Sequence, residues 1–208
     1  MRTSLANKLI LIISLCMMLN GCGDSYQLTP LSKDDLILSY GDSLTYGTGT
    51  KNENAYPAIL QRLTERRVIN AGIPGEITAD ALKRLPRLIQ QYKPALIILC
   101  HGGNDILRKV KSEKTKKNLQ QMIDIAKLNS AEVLLIGVPE FGLFLSASPI
   151  YQALSDENKI PLDNDVLPEI LGNNSLKSDH IHPNTKGYKL FAERIFTLLK
   201  SSGAIATD

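Results

Sequence analysis

Short blocks of consecutive apolar residues alternate along the chain with longer segments in which apolar residues recur every three or four positions. The blocks lie at residues 36–38, before Ser39 and Tyr40, at 68–69, before Asn70, and at 95–100 and 133–138. Uninterrupted apolar blocks of this length are typical of strands that are covered on both faces of a parallel sheet. The segments with helical spacing begin near residue 54 and cover residues 78–92, 119–126 and 185–200. This alternation predicts a three-layer α/β/α sandwich around a mainly parallel sheet.

Two prolines refine the predicted helices. Pro57 fits the first turn of a helix that begins near Asn54, with the asparagine as its cap. Pro86 falls inside the helix predicted over residues 78–92, where the missing amide hydrogen predicts a break or a kink.

The amino-terminal residues form a separate region. Residues 9–19 are mostly apolar and follow two basic residues. The stretch is shorter than the ~20 residues of a membrane span, so it predicts a secretory signal. Residues 19–22 (Leu-Asn-Gly-Cys) resemble the lipobox of bacterial lipoproteins, which implies cleavage before Cys22 and lipidation of its thiol. Gly23, directly after the cysteine, resembles the pattern for sorting to the outer membrane. The alternative to a lipobox is an ordinary signal peptide with an incidental cysteine.

The chain therefore divides into a signal peptide (residues 1–21), a lipidated cysteine with a polar tether (22–33), and one globular domain (34–202). The 24 basic and 21 acidic residues give a net charge of +3, which falls to +1 without the two basic residues of the signal. A near-neutral protein lacks the basic field of a nucleic-acid binder. Of three cysteines only Cys100 would remain free in the domain, so we expect no intramolecular disulfide.

The first predicted strand ends in a turn that can present a nucleophile. Gly41, Asp42 and Ser43 follow it directly, which places Ser43 at the carboxyl end of a strand, where open α/β sheets bind ligands. Gly-Asp-Ser is also an ordinary turn sequence, and residues 23–25 repeat it with no strand before them. The serine therefore needs a base and oxyanion donors elsewhere in the chain.

A base is available near the carboxyl terminus. Asp179 precedes His182 by three residues, so one turn can hold its carboxylate against Nδ1 and leave Nε2 facing Ser43. His180 should point in another direction, and we interpret it as a loop residue beside the cleft. The alternative is a metal site, because His-x-His beside an aspartate has ligand spacing. No second cluster supplies the remaining ligands, so we expect no metal.

Three groups that follow predicted strands are candidate donors to an oxyanion. They are the backbone N–H of Ser43, the backbone N–H of Gly75 and the side-chain amide of Asn104. Glycine suits the second position because the backbone can approach a ligand without a Cβ atom in the way. Donors of this kind stabilise the negative charge that develops during acyl transfer.

In chain order, these segments resemble the sequence blocks of the GDSL family of SGNH hydrolases. The matching segments are residues 41–44 (GDSL), 70–75 (NAGIPG), 102–105 (GGND) and 179–184 (DHIHPN). The subgroup that they most resemble is that of the bacterial periplasmic thioesterase/lysophospholipase and arylesterase enzymes. The resemblance implies a flavodoxin-like, five-stranded sheet of order 2-1-3-4-5, and no cofactor.

The same resemblance implies roles for individual residues. Ser43, His182 and Asp179 would form the triad, and Ser43, Gly75 and Asn104 the oxyanion hole. Three positions differ from the residues that are commoner in the family, namely Pro74, Glu76 and His180. These differences bear on the acyl group that the enzyme prefers.

The expected function is a monomeric serine esterase in the bacterial cell envelope, held by a lipid anchor and facing the periplasm. Its expected substrates are lysophospholipids, short-to-medium acyl esters or aryl esters. Two alternatives are an O-acetyl esterase that acts on envelope carbohydrate and an inactive lipoprotein that binds acyl chains.

Three further features have competing interpretations. Cys100 precedes His101, but adjacent strand residues point to opposite faces, so a buried structural thiol is expected rather than a Cys-His pair. Residues 108–117 hold six basic residues and one acid, which fits a solvated surface or a contact with anionic headgroups. The apolar residues 141–145 could line an acyl pocket or pack into the body of the protein.

Overall fold

A computed structural model describes residues 26–140 and 145–206 of the chain. Its strands are β1 (Ile37–Gly41), β2 (Val68–Gly72), β3 (Leu96–Cys100), β4 (Glu132–Ile136), β5 (Pro139–Glu140), β6 (Ser146–Ala147) and β7 (Leu162–Asp163). Five of them form a parallel sheet of order β2-β1-β3-β4-β7, and β5 and β6 form a separate antiparallel pair. The predicted sheet order is therefore confirmed, with β7 as the fifth strand.

Helices flank the sheet and connect its strands. They are α1 (Ser43–Tyr46), α2 (Tyr56–Thr64), α3 (Thr78–Tyr92), α4 (Gly103–Leu107), α5 (Ser112–Leu128), α6 (Pro149–Asn158), α7 (Val166–Gly172) and α8 (Thr185–Ser201). α2 packs against α8, where the rings of Tyr56 and Phe191 lie 4.5 Å apart, and α3 packs against α5. Each residue of β1 and β3 is buried, as the apolar blocks predicted for strands covered on both faces. The predicted α/β/α fold is confirmed.

Close packing at the carboxyl edge of the sheet explains two of its glycines. A Cβ atom on Gly41 would lie 2.0 Å from Oγ1 of Thr45 and 2.5 Å from the carbonyl oxygen of Cys100. A Cβ atom on Gly72 would lie 2.2 Å from the backbone nitrogen of Tyr46. The first turn of α1 therefore rests directly on the ends of β1, β2 and β3, which fixes the start of that helix.

The amino-terminal segment differs from the expected tether. Leu28 and Leu31 are buried, and their N–H groups donate to the carbonyl oxygens of Ser202 and Ala204 at 2.8 Å each. The Thr29 hydroxyl also donates to a carboxylate oxygen of Glu132. These contacts make residues 28–31 part of the folded body, although they lie within the mostly polar segment that was expected to be a tether.

Local structure around Pro86 and Asn54 also differs from the sequence-based expectations. α3 runs without a break through Pro86. Asn54 lies in a short 3-10 turn, and α2 begins two residues later with Ala55 as a cap that makes no side-chain hydrogen bond. The short strands β5 to β7 and the helices α6 and α7 were not expected from the apolar pattern. Within residues 26–140 and 145–206, no helix is both long and apolar enough to cross a bilayer.

Candidate active site

The candidate nucleophile is the first residue of α1. β1 ends at Gly41, and Asp42 caps the helix because its Oδ1 accepts the Leu44 N–H at 3.0 Å. Ser43 is partly exposed, while Asp42 is almost completely buried. Burial raises the pKa of the Asp42 carboxyl, and nearby His101 and the Leu44 N–H oppose that rise in part.

A continuous hydrogen-bonded relay joins the three residues that the sequence suggested as a triad. Oγ of Ser43 lies 3.0 Å from Nε2 of His182, and Nδ1 of the same ring lies 2.8 Å from Oδ2 of Asp179. Both distances are those of hydrogen bonds. In the tautomer with the ring proton on Nδ1, the Nδ1–H donates to the Asp179 carboxylate. Nε2 is then the acceptor for the serine hydroxyl proton.

A tight turn fixes the carboxylate against the ring. Oδ1 of Asp179 accepts the backbone N–H groups of Ile181 at 2.8 Å and His182 at 2.9 Å, so one oxygen holds the turn while the other holds the imidazole. Ser178 closes the turn by donating its N–H to the His182 carbonyl. Burial raises the pKa of Asp179, but the hydrogen bonds from His182 and Ile181 outweigh burial and lower it below its ordinary value. The carboxylate is therefore ionised at neutral pH.

The turn is joined to α8 and to the loop after Ser43. Asn184 caps α8 by accepting the N–H groups of Lys186 and Gly187. Tyr188, in the first turn of the helix, donates its hydroxyl hydrogen to the Thr48 carbonyl oxygen at 2.9 Å. The helix that follows His182 is thus tied to the segment that follows Ser43.

Gly75 occupies a backbone conformation that requires glycine. Its φ is +78°, in the left-handed region, and a Cβ atom there would meet only Nη2 of Arg108 at 4.0 Å. The constraint on this residue is therefore conformational rather than steric. The same guanidinium donates to the Gly75 carbonyl oxygen at 2.9 Å.

Both N–H groups of the Asn104 amide have acceptors inside the protein. Nδ2 donates to Oδ2 of Asp42 at 3.2 Å and to the backbone carbonyl oxygen of Glu76 at 3.0 Å. Asn104 lies at the start of α4, directly after β3. Its orientation therefore depends on the loops that follow β1 and β2.

One cavity of about 210 Å³ brings these groups together. Ser43, His182, Gly75 and Asn104 all line it. The rest of its described wall is mostly apolar and includes Leu44, Pro74, Leu107, Val138, Pro139, Leu171 and Ile181. A cleft of this kind can hold an apolar group beside a nucleophile, a base and hydrogen-bond donors.

A buried charged cluster next to the site was not recognised from the sequence. Arg84 of α3 forms an ion pair with Glu76, and His101 lies beside the same carboxylate. Asp42, as the cap of α1 and an acceptor for Asn104, was also missed. The only sequence signals were a basic residue on the otherwise apolar side of α3 and an acid directly after Gly75, and neither distinguishes a buried pair from a surface one.

Other sequence-based candidates lie apart from this relay. His180 is exposed and makes no hydrogen bond or ion pair with another described residue. Cys100 is free and fully buried, and burial raises its thiol pKa well above the ordinary value, as expected for an inert structural thiol. Residues 141–144 lie outside the described residues, and the neighbouring Leu145 packs against the core. Among the described residues, no group of three His, Cys, Asp or Glu could hold a metal ion.

Comparison with known proteins identifies the family of the chain. The model of the GDSL-like Lipase/Acylhydrolase family matches residues 39–190, well over half of the chain. The chain belongs to this family. The match begins in β1, before the serine, and extends past the Asp-x-x-His turn into α8, so it contains the whole relay.

Individual relatives carry esterase and thioesterase names. The chain is 32% identical to the Pseudomonas aeruginosa protein named Esterase TesA over 195 residues, which cover 88% of this chain and 97% of that protein. It is also 32% identical to Thioesterase 1/protease 1/lysophospholipase L1 of Escherichia coli K12 over 167 residues, 76% of this chain and 80% of the relative. Together with the family match, these relatives show that the protein is a carboxylic ester hydrolase.

A solved structure with a similar fold is that of the psychrotrophic esterase EstA from Pseudoalteromonas, inhibited by monoethylphosphonate. Its TM-score is 0.72 at 26% identity, over 81% of this chain and 98% of the EstA chain. The likeness supports the fold.

The two neighbouring histidines provide a direct test of the relay. We expect Ser43→Ala and His182→Ala each to lower kcat/KM by about 10⁴-fold or more, and the double variant to lose little more, because members of one catalytic unit are not additive. The control is His180→Ala, an exposed residue of the same turn, which should keep most of its turnover. The measurement is kcat/KM on p-nitrophenyl acetate, with circular dichroism to confirm folding. An inactive His180→Ala beside an active His182→Ala would assign the base to the other histidine.

Proposed function

We propose that this GDSL hydrolase is a serine esterase that works through an acyl-enzyme, with Ser43 as nucleophile, His182 as general base and Asp179 as the group that orients it. The observation that carries the proposal is the relay itself, with 3.0 Å and 2.8 Å contacts, whose Ser43 and His182 line a mostly apolar cavity. Nucleophilic catalysis by serine needs a base within hydrogen-bond reach and a third group that selects the tautomer of the base. Each of these requirements has a matching contact here.

In the first half-reaction, Ser43 Oγ attacks the ester carbonyl carbon while Nε2 of His182 takes its proton. The carbonyl π electrons move to the oxygen and form a tetrahedral oxyanion. The intermediate then collapses, the bond to the leaving oxygen breaks, and His182 returns the proton to the departing alcohol. Asp179 stays ionised and stabilises the imidazolium between these two transfers.

In the second half-reaction, water repeats the same sequence on the acyl-serine ester. His182 removes a proton from the water as it attacks, and a second oxyanion forms. Its collapse releases the carboxylic acid and returns the proton to Ser43 Oγ. The net reaction consumes one water per ester, so no cofactor is required.

The proposed oxyanion donors are the backbone N–H groups of Ser43 and Gly75 and the amide of Asn104. Each follows a different strand of the sheet, and all three residues line the cavity that contains the nucleophile. Removal of one such donor typically costs about 10²–10³ in rate. Pre-positioned backbone donors do not have to reorganise when charge develops, which is why they are effective.

The size and lining of the cavity support esters of short-to-medium acyl chains, including lysophospholipids and aryl esters with such acyl groups. At about 210 Å³ the cavity lies below the ~300–1,000 Å³ typical of small-molecule sites. Its described walls offer apolar contacts to a hydrocarbon chain. Leu107 extends this apolar surface to the rim, where 47% of the residue is exposed.

A series of p-nitrophenyl esters tests this substrate class. Burial of one methylene contributes ~0.8 kcal/mol, so kcat/KM should rise up to about fourfold per added methylene from acetate until the cavity is full. It should then level off or fall before palmitate. The Leu107→Ala variant should flatten this rise and leave acetate nearly unchanged, because the shorter chain does not reach the rim. A series that is flat or falls from acetate onward would contradict an acyl-binding role for the cavity.

We further propose that a lipid on Cys22 holds the protein in the cell envelope, at the outer membrane and facing the periplasm. The first described residues join the body beside Ser202, at the end of α8 away from His182. α8 has 17 residues and is therefore about 25 Å long. A lipid anchor at Cys22 would therefore attach the protein to the membrane on the side opposite the cleft. The cleft would then stay open to the aqueous phase.

The Cys22→Ser variant tests the anchor. It should lose incorporation of radiolabelled palmitate and leave the membrane fraction or remain unprocessed, whereas Cys100→Ser, which removes the buried thiol, should still be labelled. The readout is fluorography of fractionated cells. Equal labelling, or no labelling, of the wild type and Cys22→Ser would refute the lipobox interpretation.

A further inference from the structure

A partly buried ion pair lies next to the candidate oxyanion hole and has no part in the relay. Nε of Arg84 lies 2.6 Å from Oε1 of Glu76, and Nη2 lies 2.7 Å from Oε2. Only 7% of the Glu76 side chain is exposed. Two parallel N–H donors on one carboxylate fix both position and angle, which a single ammonium group cannot do.

Arg84 also joins this pair to the edge of the sheet. Nη2 donates to the Ala71 carbonyl oxygen at 2.7 Å, at the end of β2, and the guanidinium carbon lies 4.3 Å from the centre of the Tyr40 ring in β1. Nε2 of His101 is 3.2 Å from Oε2 of Glu76, although its N–H does not point along a hydrogen-bond direction. Burial raises the pKa of Glu76, but His101 and Arg84 outweigh burial and lower it, so the carboxylate is charged at neutral pH.

The backbone of Glu76 continues this network to Asn104. Its carbonyl oxygen accepts one N–H of the Asn104 amide at 3.0 Å, and Oδ2 of Asp42 is the other acceptor at 3.2 Å. An amide group has only two N–H donors. A developing oxyanion must therefore share or replace one of these two acceptors, and the angle at which the amide faces the cavity depends on where the Glu76 carbonyl is held.

We propose that Arg84 is a positioning residue of the oxyanion hole, which clamps Glu76 so that its carbonyl oxygen aims the Asn104 amide at the cavity. The inference rests on the proposed function, in which Asn104 donates to the oxyanion. Arg84 touches no reacting atom in this account. Its effect passes through the Glu76 carbonyl, and it should appear in the chemical step more than in substrate binding.

A simpler role for the pair would be structural, and the two roles differ in their coupling to Asn104. A structural contribution lowers stability and affects activity by the same factor whether or not Asn104 is present. A positioning contribution disappears when the group that it positions is removed. A double-mutant cycle between Arg84 and Asn104 measures this difference.

The variants are Arg84→Lys, Asn104→Ala and their combination, assayed for kcat and KM on p-nitrophenyl butyrate. Arg84→Lys keeps the charge but cannot bind both carboxylate oxygens and the Ala71 carbonyl together. The control is Lys83→Ala, the adjacent residue on α3, whose exposed ammonium pairs with Asp80 on the surface. Thermal unfolding of each variant confirms that it is folded at the assay temperature. If Arg84→Lys is not folded at that temperature, Glu76→Gln is used in its place, because glutamine keeps the shape of the glutamate side chain and removes its charge.

We expect Arg84→Lys to lower kcat about 10-fold with KM changed less than about twofold, and Asn104→Ala to lower kcat about 10²–10³-fold. In the Asn104→Ala background, Arg84→Lys should lower kcat less than about twofold. Lys83→Ala should match the wild type.

Two results would overturn the positioning role alone: an equal loss from Arg84→Lys in both backgrounds, or no loss in the wild-type background. Wild-type turnover by Asn104→Ala would instead contradict the proposed oxyanion hole itself, and the positioning role with it.

Discussion

The geometry of the site depends on the register of β1 between its two parallel neighbours. Gly41 at the end of β1 pairs with Gly72 of β2 and with Cys100 of β3, so three strands end at the same level. Adjacent strands lie about 4.8 Å apart, and the loops that leave them must converge. Ser43, Gly75 and Asn104 lie two, three and four residues beyond this level. A slip of one residue in either pairing would exchange the two buried faces of β1 and shift Ser43 relative to Gly75 or Asn104.

The base reaches the cleft in a different way, because neither His182 nor Asp179 lies on or directly after a strand of the sheet. Their turn is held by its own hydrogen bonds and by the start of α8. Tyr188 and Thr185 of that helix also bond to the loop after Ser43. The serine and the proposed oxyanion donors therefore share one rigid support, while the imidazole is aligned by a separate local structure. The buried cluster around Arg84 strengthens the first of these supports at the point where β1 and β2 end.

The sequence was informative where structure and chemistry are local. The apolar blocks located β1 to β4, and the short spacing between Asp179 and His182 was sufficient to predict the turn that joins them. The contacts that were missed depend on distant parts of the chain. Residues 28–31 look like a linker until Ser202 and Ala204 lie beside them, and β7 is only two residues long, too short for a periodic pattern. Glu76 and Arg84 carry no sign of burial in sequence, since only the fold brings their side chains together beside the end of β2.

The most direct test of the central claim is to treat the protein with a fluorophosphonate, which reacts with activated serine, and to locate the adduct by intact-mass and peptide mass spectrometry. The account predicts one adduct per chain, on Ser43, which forms in step with the loss of esterase activity, and a much slower reaction in a variant that lacks His182. Complete inactivation with Ser43 unmodified, or an equally fast reaction without His182, would contradict a Ser43–His182–Asp179 mechanism.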